Sequence, residues 1–331
     1  MLNIRSSAAA AVCALAFLCG TVALAGAPQL KTQAPGWYRM MLGDFEVTAL
    51  NDGTFPMDLV KVLANITPKQ LDEDLSRSFL TNPVESSGNG FLNNTGTNHV
   101  LIDAGAGTFF GPTAGKLLGH LEASGYRPEQ VDEIYITHMH PDHIGGLIKD
   151  GKPAFPNAVV RAAQQEADFW LSKAKRAAAA ADAKEGFVNA QNALGPYLEA
   201  GRFKPFNGDV QLVPGIRSVA APGHTPGHTL YMVESGGEQL LLWGDLMHSA
   251  TAQFPDPSVY LHFAADKPVD TDLPAATEQR RKVFADAAEH RYWVAGAHLP
   301  FPGIGHLRTN GSGYTFVHAN YTSLSLHPLQ P

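Results

Sequence analysis

The strongest constraint on this 331-residue chain is one six-residue run, His138-Met139-His140-Pro141-Asp142-His143. It follows directly on a short apolar segment, 133–137, whose pattern predicts a strand. In extended backbone His138 and His140 project to one side. A turn at Pro141 then carries Asp142 and His143 round to the same place. Any fold that accepts the run must therefore end a buried strand at a point where imidazoles and carboxylates converge. Imidazole suits zinc and similar divalent ions, and carboxylate accommodates harder ions such as Mn²⁺. Three further donors stand at predicted strand ends: His224 within Gly223-His224-Thr225-Pro226-Gly227-His228, Asp245 after Gly244, and His298 after the segment 292–295. Loops at one edge of a sheet can gather at a common point. Six or seven donors exceed the four of one closed zinc site, so two ions are expected.

The rest of the chain supplies the frame. Alternation over 45–50 predicts a strand, with Asn51-Asp52-Gly53 as the turn of an opening hairpin. A strand is expected at 98–103 and a helix at 113–124 with Leu117, Leu118 and Leu121 on one face. Ala167, Trp170, Leu171 and Ala174 share a face of an Ala-rich helix over 164–183, which pairs with a second at 186–198 as a helical hairpin spanning about 164–199. In the second half, strands are expected at 210–213, 217–220, 229–233 and 239–243, and a proline-opened helix at 274–290. Strand runs bounded by helices in each half, without steady alternation, point to two sheets packed face to face with helices outside.

Charge excludes one class of partner. Lys and Arg number 24 against 31 Asp and Glu, a net charge of −7, so no broad basic surface for nucleic acid is expected. Residues 1–25 read as a secretory signal: Arg5 precedes an apolar stretch at 8–18, and Ala23-Leu24-Ala25 has the small-x-small pattern of a cleavage site. The apolar run is shorter than the roughly 20 residues of a membrane span and is followed by Gly20 and Thr21, so no stable membrane anchor is expected. The expectation is an exported protein, periplasmic or secreted, with a single domain over 26–331. Both cysteines, Cys13 and Cys19, fall inside the signal segment. The exported chain would then have no thiol, and any metal must be held by histidine and carboxylate.

In ligand type and order, HMHPDH, GHTPGH, Gly244-Asp245 and the late His298 resemble the hydrolases of the metallo-β-lactamase superfamily. The resemblance implies an α/β fold, the αββα sandwich of two mixed sheets with helices outside. Longer blocks, among them YRMMLGDFEVTAL, YITHMHPDHIGGL, EADFWLS and AHLPFPGIGH, are similar to the methyl parathion hydrolase branch, whose members hydrolyse organophosphate triesters, lactones or aryl esters. That similarity runs over nearly all of the chain after the signal segment. Carried over by position, it places His138, His140 and His224 on one ion and Asp142, His143 and His298 on a second, with Asp245 bridging. It implies that Asp103 orients the ligand loop from behind, that His228 plays a supporting role, and that Phe110, Trp170 and Phe187 line an aromatic pocket. The ions are expected to be zinc, with manganese, cobalt or iron as alternatives. They would share a hydroxide drawn from solvent, with Asp142 and Asp245 taking up protons as it is consumed.

One departure ranks the substrates. His248 lies three residues beyond Asp245, where a triesterase of this branch would carry an apolar wall, and the stretch 260–263, which includes Phe263, is bulky. Both crowd a tetrahedral triester more than a planar lactone. The expected substrate is therefore a neutral aromatic lactone or aryl ester, with organophosphate triesters second and a non-catalytic exported metal binder third. β-Lactam hydrolysis is disfavoured because no cation follows His298 in Leu299-Pro300-Phe301-Pro302. A dinucleotide site at Gly105-Ala106-Gly107 fails because the next glycine comes only at 111. The resemblance also allows a homodimer through an apolar face.

Overall fold

A computed structural model describes residues 27–181, 183–261 and 272–322. The expected signal segment, both cysteines and Phe263 lie outside these residues. The unit that begins at Pro35 contains the whole sandwich. Its first sheet runs Trp37–Leu42, Phe45–Met57, Val84–Asn94, His99–Ile102, Glu133–Tyr135 and Val159–Arg161. Its second runs Gln211–Val213, Ile216–Ala220, Thr229–Ser235, Glu238–Leu242, Trp293–Ala295, Ile304–Asn310 and Gly313–His318. Each sheet mixes parallel and antiparallel pairs.

The core between the sheets takes Leu42, Val47, Phe91 and Ile102 from the first and Ile216, Tyr231, Leu242 and Ala295 from the second. Alternate residues of the first sheet, Leu50, Leu92, Leu101 and Ile134, turn outward beneath Leu117, Leu121, Phe187 and Leu194. Leu230, Leu241 and Val294 of the second do the same beneath Val283, Phe284 and Ala287 of the helix Leu273–His290. The period-two alternation of the strands supplies three apolar layers, and the result is the expected αββα sandwich.

The parallel pairs position the site. His99–Ile102 runs parallel to Glu133–Tyr135, and Glu238–Leu242 runs parallel to Trp293–Ala295. Each of these four strands delivers a donor or its support just past its C-terminal end: Asp103, His138, Asp245 and His298. Carboxyl ends of parallel strands are where open α/β sheets gather ligands.

Two expectations are corrected. Asn51-Asp52-Gly53 is not a turn but a register shift inside the strand Phe45–Met57, which continues against Val84–Asn94. Buried Asp52 accepts from the backbone N–H groups of Ala106, Gly115 and Leu117 at 2.9–3.1 Å, so the polar triplet is used inside the fold. The helix expected over 164–183 is two helices, Gln164–Trp170 and Lys173–Ala178. The first ends at Leu171, and Ser172 caps the second, its side chain accepting from Lys175 N at 3.2 Å. The hairpin Ile304–Asn310 and Gly313–His318 was not expected at all.

Candidate metal centre

His138 and His140 leave the strand Glu133–Tyr135 in extended backbone, and Pro141 opens the short helix Pro141–Ile144 that carries Asp142 and His143. His224 lies between Ile216–Ala220 and Thr229–Ser235. Its Nε2 is 3.2 Å from His138 Nε2 and 3.1 Å from His140 Nδ1, and those two are 2.9 Å apart. Asp245 Oδ2 faces the same trio, 3.6 Å from His138 Nε2 and 3.4 Å from His224 Nε2. His298 Nε2 is also 3.2 Å from Oδ2, and the other carboxylate oxygen, Oδ1, faces the remaining donors. It lies 3.1 Å from His143 Nε2 and 3.2 Å from His298 Nε2, while Asp142 Oδ2 is 3.6 and 3.4 Å from the same two nitrogens. In each foursome all donor atoms fall within 4.8 Å of one another.

The supports fix which ring nitrogen faces inward. Thr137 donates its Oγ1 proton to Asp103 Oδ2 at 2.7 Å and its N–H to Oδ1 at 2.8 Å. Thr137 Oγ1 then accepts from His138 Nδ1 at 3.1 Å. His143 Nδ1 donates to Asp103 at 2.8 Å, and His298 Nδ1 donates to the Ser87 carbonyl at 3.0 Å. The Nε2 lone pairs of His138, His143 and His298 are thereby turned to the centre, the arrangement by which outer partners orient metal ligands. Gly244 lets the Asp245 loop close on this support, since a Cβ there would stand 2.8 Å from Thr137 Oγ1.

These residues fit a pair of divalent cations on their own chemistry. Imidazole nitrogens 2.9–3.2 Å apart lie close to the ~3.3 Å edge of a tetrahedron of imidazoles about zinc. His143 Nε2 and Asp245 Oδ1 are buried with no hydrogen-bond partner among the described residues, although they face each other. Burial pushes His138 and His140 well below the usual histidine range, with charge on neighbouring imidazoles pushing the same way. Burial also opposes charge on His143, but Asp245, Asp103 and Asp142 outweigh it and hold that imidazole well above the usual range. A divalent ion takes the place of such a proton. Burial raises Asp245, yet the imidazoles of His143, His298, His248 and His138 outweigh it and hold the carboxyl well below its usual range.

The structure brings together all seven donors named from the sequence, with Asp103 behind them. His228 is not among the converging atoms. Its Nε2 accepts from Asp245 N at 3.1 Å and its Nδ1 donates to Ala221 O at 3.2 Å. Burial lowers it to about 3, so it stays neutral and holds the backbone of the bridging residue. His248 is more than a wall: its Nε2 lies 2.9 Å from Asp245 Oδ2 and its ring stacks on His298 at 5.0 Å.

A cavity of about 210 Å³ opens over the donors, walled by Phe55, Met57, Phe110 and Leu261. Trp170 and Phe187 do not line it. Trp170 packs 5.5 Å behind His140 and Phe187 packs on Trp170 at 5.0 Å, because both belong to the core under the helix Lys184–Glu199. Several residues were missed from the sequence. Phe55 and Met57 were hidden by the supposed turn at Asn51-Asp52-Gly53. Glu166 accepts from the backbone N–H groups of Met139 and Gly227, and the Ser87 carbonyl accepts from the His298 ring; no local spacing announces partners so far away in sequence.

Residues 84–316 match the model of the Metallo-beta-lactamase superfamily. The chain is similar to a solved structure described as hydrolase AbOPH in beta lactamase superfamily, at 36% identity and TM-score 0.81, covering 88% of this chain and 100% of that one. It is also similar, at 28% identity and TM-score 0.79, to AidC, described as a dizinc quorum-quenching lactonase in complex with a product, N-hexanoyl-L-homoserine. That match covers 87% of this chain and 99% of AidC. The N-acyl homoserine lactonase of Bacillus cereus is 30% identical over 124 residues, 37% of this chain. The chain spans about 40% of the length of the curated lactonases it matches.

Proposed function

Because the chain belongs to the metallo-β-lactamase superfamily, we propose that it is a binuclear metal-dependent hydrolase of neutral lactones and aryl esters. The observation that carries this reading is the single carboxylate of Asp245 standing between two imidazole-rich clusters, with Oδ2 3.4 Å from His224 Nε2 and Oδ1 3.1 Å from His143 Nε2. His138, His140 and His224 would hold one ion and Asp142, His143 and His298 the other, zinc being the first candidate. Two such ions, when bound, supply Lewis acidity toward a carbonyl oxygen and activate solvent at neutral pH.

The chain's own groups do the rest. Asp142, half-buried at the cavity, is placed to receive a proton as solvent is consumed. Phe55 and Phe110, with ring centroids 5.1 Å apart, present an aromatic wall to the substrate ring. No Lys or Arg lines the described cavity, which suits an uncharged substrate. A smaller recess of about 120 Å³ shares Met57, His248 and His298 with this cavity; one side, Leu59, Leu75, Leu80 and Val84, is apolar and offers a place for an acyl arm, and the other carries Glu85, Ser86, Ser249 and Thr251. His248 is held rigidly, its backbone N–H donating to Gln253 Oε1 at 2.7 Å, and it narrows the space a tetrahedral triester would need. Similarity to lactonases supports the lactone over the triester.

A panel tests the reading: metal-loaded protein assayed with N-hexanoyl homoserine lactone, dihydrocoumarin, p-nitrophenyl acetate and methyl parathion. Lactone or ester turnover should exceed triester turnover by at least about tenfold in kcat/KM, a difference of ~1.4 kcal/mol. Faster triester turnover overturns the ranking, and no turnover with two ions bound overturns the hydrolase reading. We also propose export through residues 1–25. N-terminal sequencing of protein recovered outside the cytoplasm should begin near Gly26.

A further inference from the structure

Glu166 is fully buried on the first turn of the helix Gln164–Trp170, outside both donor clusters. Its two carboxylate oxygens are spent on two different loops. Oε2 accepts from Met139 N at 2.9 Å, and Oε1 accepts from Gly227 N at 2.8 Å. Met139 stands between His138 and His140, and Gly227 stands three residues past His224. The three imidazoles of one cluster thus come from two loops tied through one side chain. Among the described residues no single side chain joins the loops of the other cluster: Asp103 holds the His143 ring and Ser87 O the His298 ring, while Ala104 N donates to the His143 carbonyl and Asn89 Nδ2 to the carbonyls of Gly296 and Leu299 on either side of His298. Charge-assisted bonds from backbone N–H to a buried carboxylate are short and strong, and they fix the spacing of the loops they join.

We propose that Glu166 is a positioning residue for one ion of the pair, setting the distance between the His138–His140 loop and the His224 loop and so the affinity of that site alone. The inference rests on the two-ion reading above. Gly227 is part of the same device: a Cβ there would stand 2.6 Å from Glu166 N and 2.9 Å from its Cγ. Neither residue lines the cavity over the donors.

The test is site-resolved metal binding by the full chain. Glu166→Gln keeps the shape and one acceptor oxygen but turns an NH₂ against the second backbone N–H, breaking half the tie without leaving a buried charge. Zinc-loaded wild type and variant are challenged with graded chelator, and anomalous scattering from crystals assigns each ion to its ligands. The expected result is that the His138/His140/His224 ion is lost at about 10- to 100-fold lower chelator while the Asp142/His143/His298 ion shifts by less than about threefold. Equal weakening of both ions, or of neither, overturns the inference while leaving the two-ion reading intact. A wild type that binds no ion overturns both. Gly227→Ala presses on the same tie from the other side and should reproduce the selective loss, and it stands in for Glu166→Gln if that variant does not fold.

Discussion

The two donor clusters share Asp245 but are built by different means. In the cluster of His138, His140 and His224, rigidity comes largely through the backbone, because Glu166 grips Met139 N and Gly227 N. In the cluster of Asp142, His143 and His298, each ring has its own partner, Asp103 on His143 and the Ser87 carbonyl on His298, and each loop is held separately, by Ala104 N on the His143 carbonyl and by Asn89 on the carbonyls of Gly296 and Leu299. The first arrangement sets the distance between loops and the second sets the rotation of each imidazole. A carboxylate bridging both is useful only if distance and rotation are fixed together, because a ligand misplaced by about 1 Å undoes catalysis that depends on near-attack geometry. Asp103 partly joins the two regimes, since it also accepts from Thr137, which in turn supports His138.

The comparison breaks most severely at the shared residue. Asp245→Ala should release both ions and lower hydrolysis by about a thousandfold or more, measured as metal content and kcat/KM on the same preparation. Retention of two ions would show that the clusters do not depend on the bridge. Next in size, Asp103→Asn replaces an acceptor of the His143 proton with an amide. It should weaken the Asp142/His143/His298 ion by about 10- to 100-fold, the mirror image of Glu166→Gln, with the other ion changed less. Parallel loss of both ions would make Asp103 a support of the whole centre.

Smaller effects concern the cavity. His248→Leu removes the contact to Asp245 Oδ2 and the stack on His298, and it opens the wall. The ratio of triester to lactone kcat/KM should rise by roughly fivefold, about 1 kcal/mol. An unchanged ratio removes His248 from substrate choice. Phe110→Ala takes away a wall residue that is 38% exposed and packs against Phe55 at 5.1 Å between ring centroids. It should raise KM for an aryl ester by about two- to threefold with kcat and both ions unaltered, the pattern of lost ground-state binding. A fall in kcat of the same size would place Phe110 nearer the reacting atoms.

Much of the centre was legible because its donors come in runs. Three histidines and an aspartate between positions 138 and 143 occupy a single strand end, and His224, Asp245 and His298 each follow an apolar segment that reads as a strand. What escaped were residues outside those runs whose partners are backbone groups distant in the chain. Glu166 looks like an ordinary helix residue until the fold places Gly227 N 2.8 Å from it, 61 positions away. Asp52 looks like part of an Asn-Asp-Gly turn until its carboxylate is seen receiving three N–H groups, so local turn chemistry was overruled by a tertiary use of the same residues. Trp170 and Phe187 were misplaced for the opposite reason: resemblance suggested a pocket wall, whereas their burial under Lys184–Glu199 makes them the packing behind His140.

Titrating ion-free protein with zinc while following hydrolysis of N-hexanoyl homoserine lactone decides whether two cations held in common by Asp245 make this chain a hydrolase. Activity should climb to a plateau reached at two equivalents per chain. A plateau at one equivalent, or no turnover at any zinc content, would contradict that design.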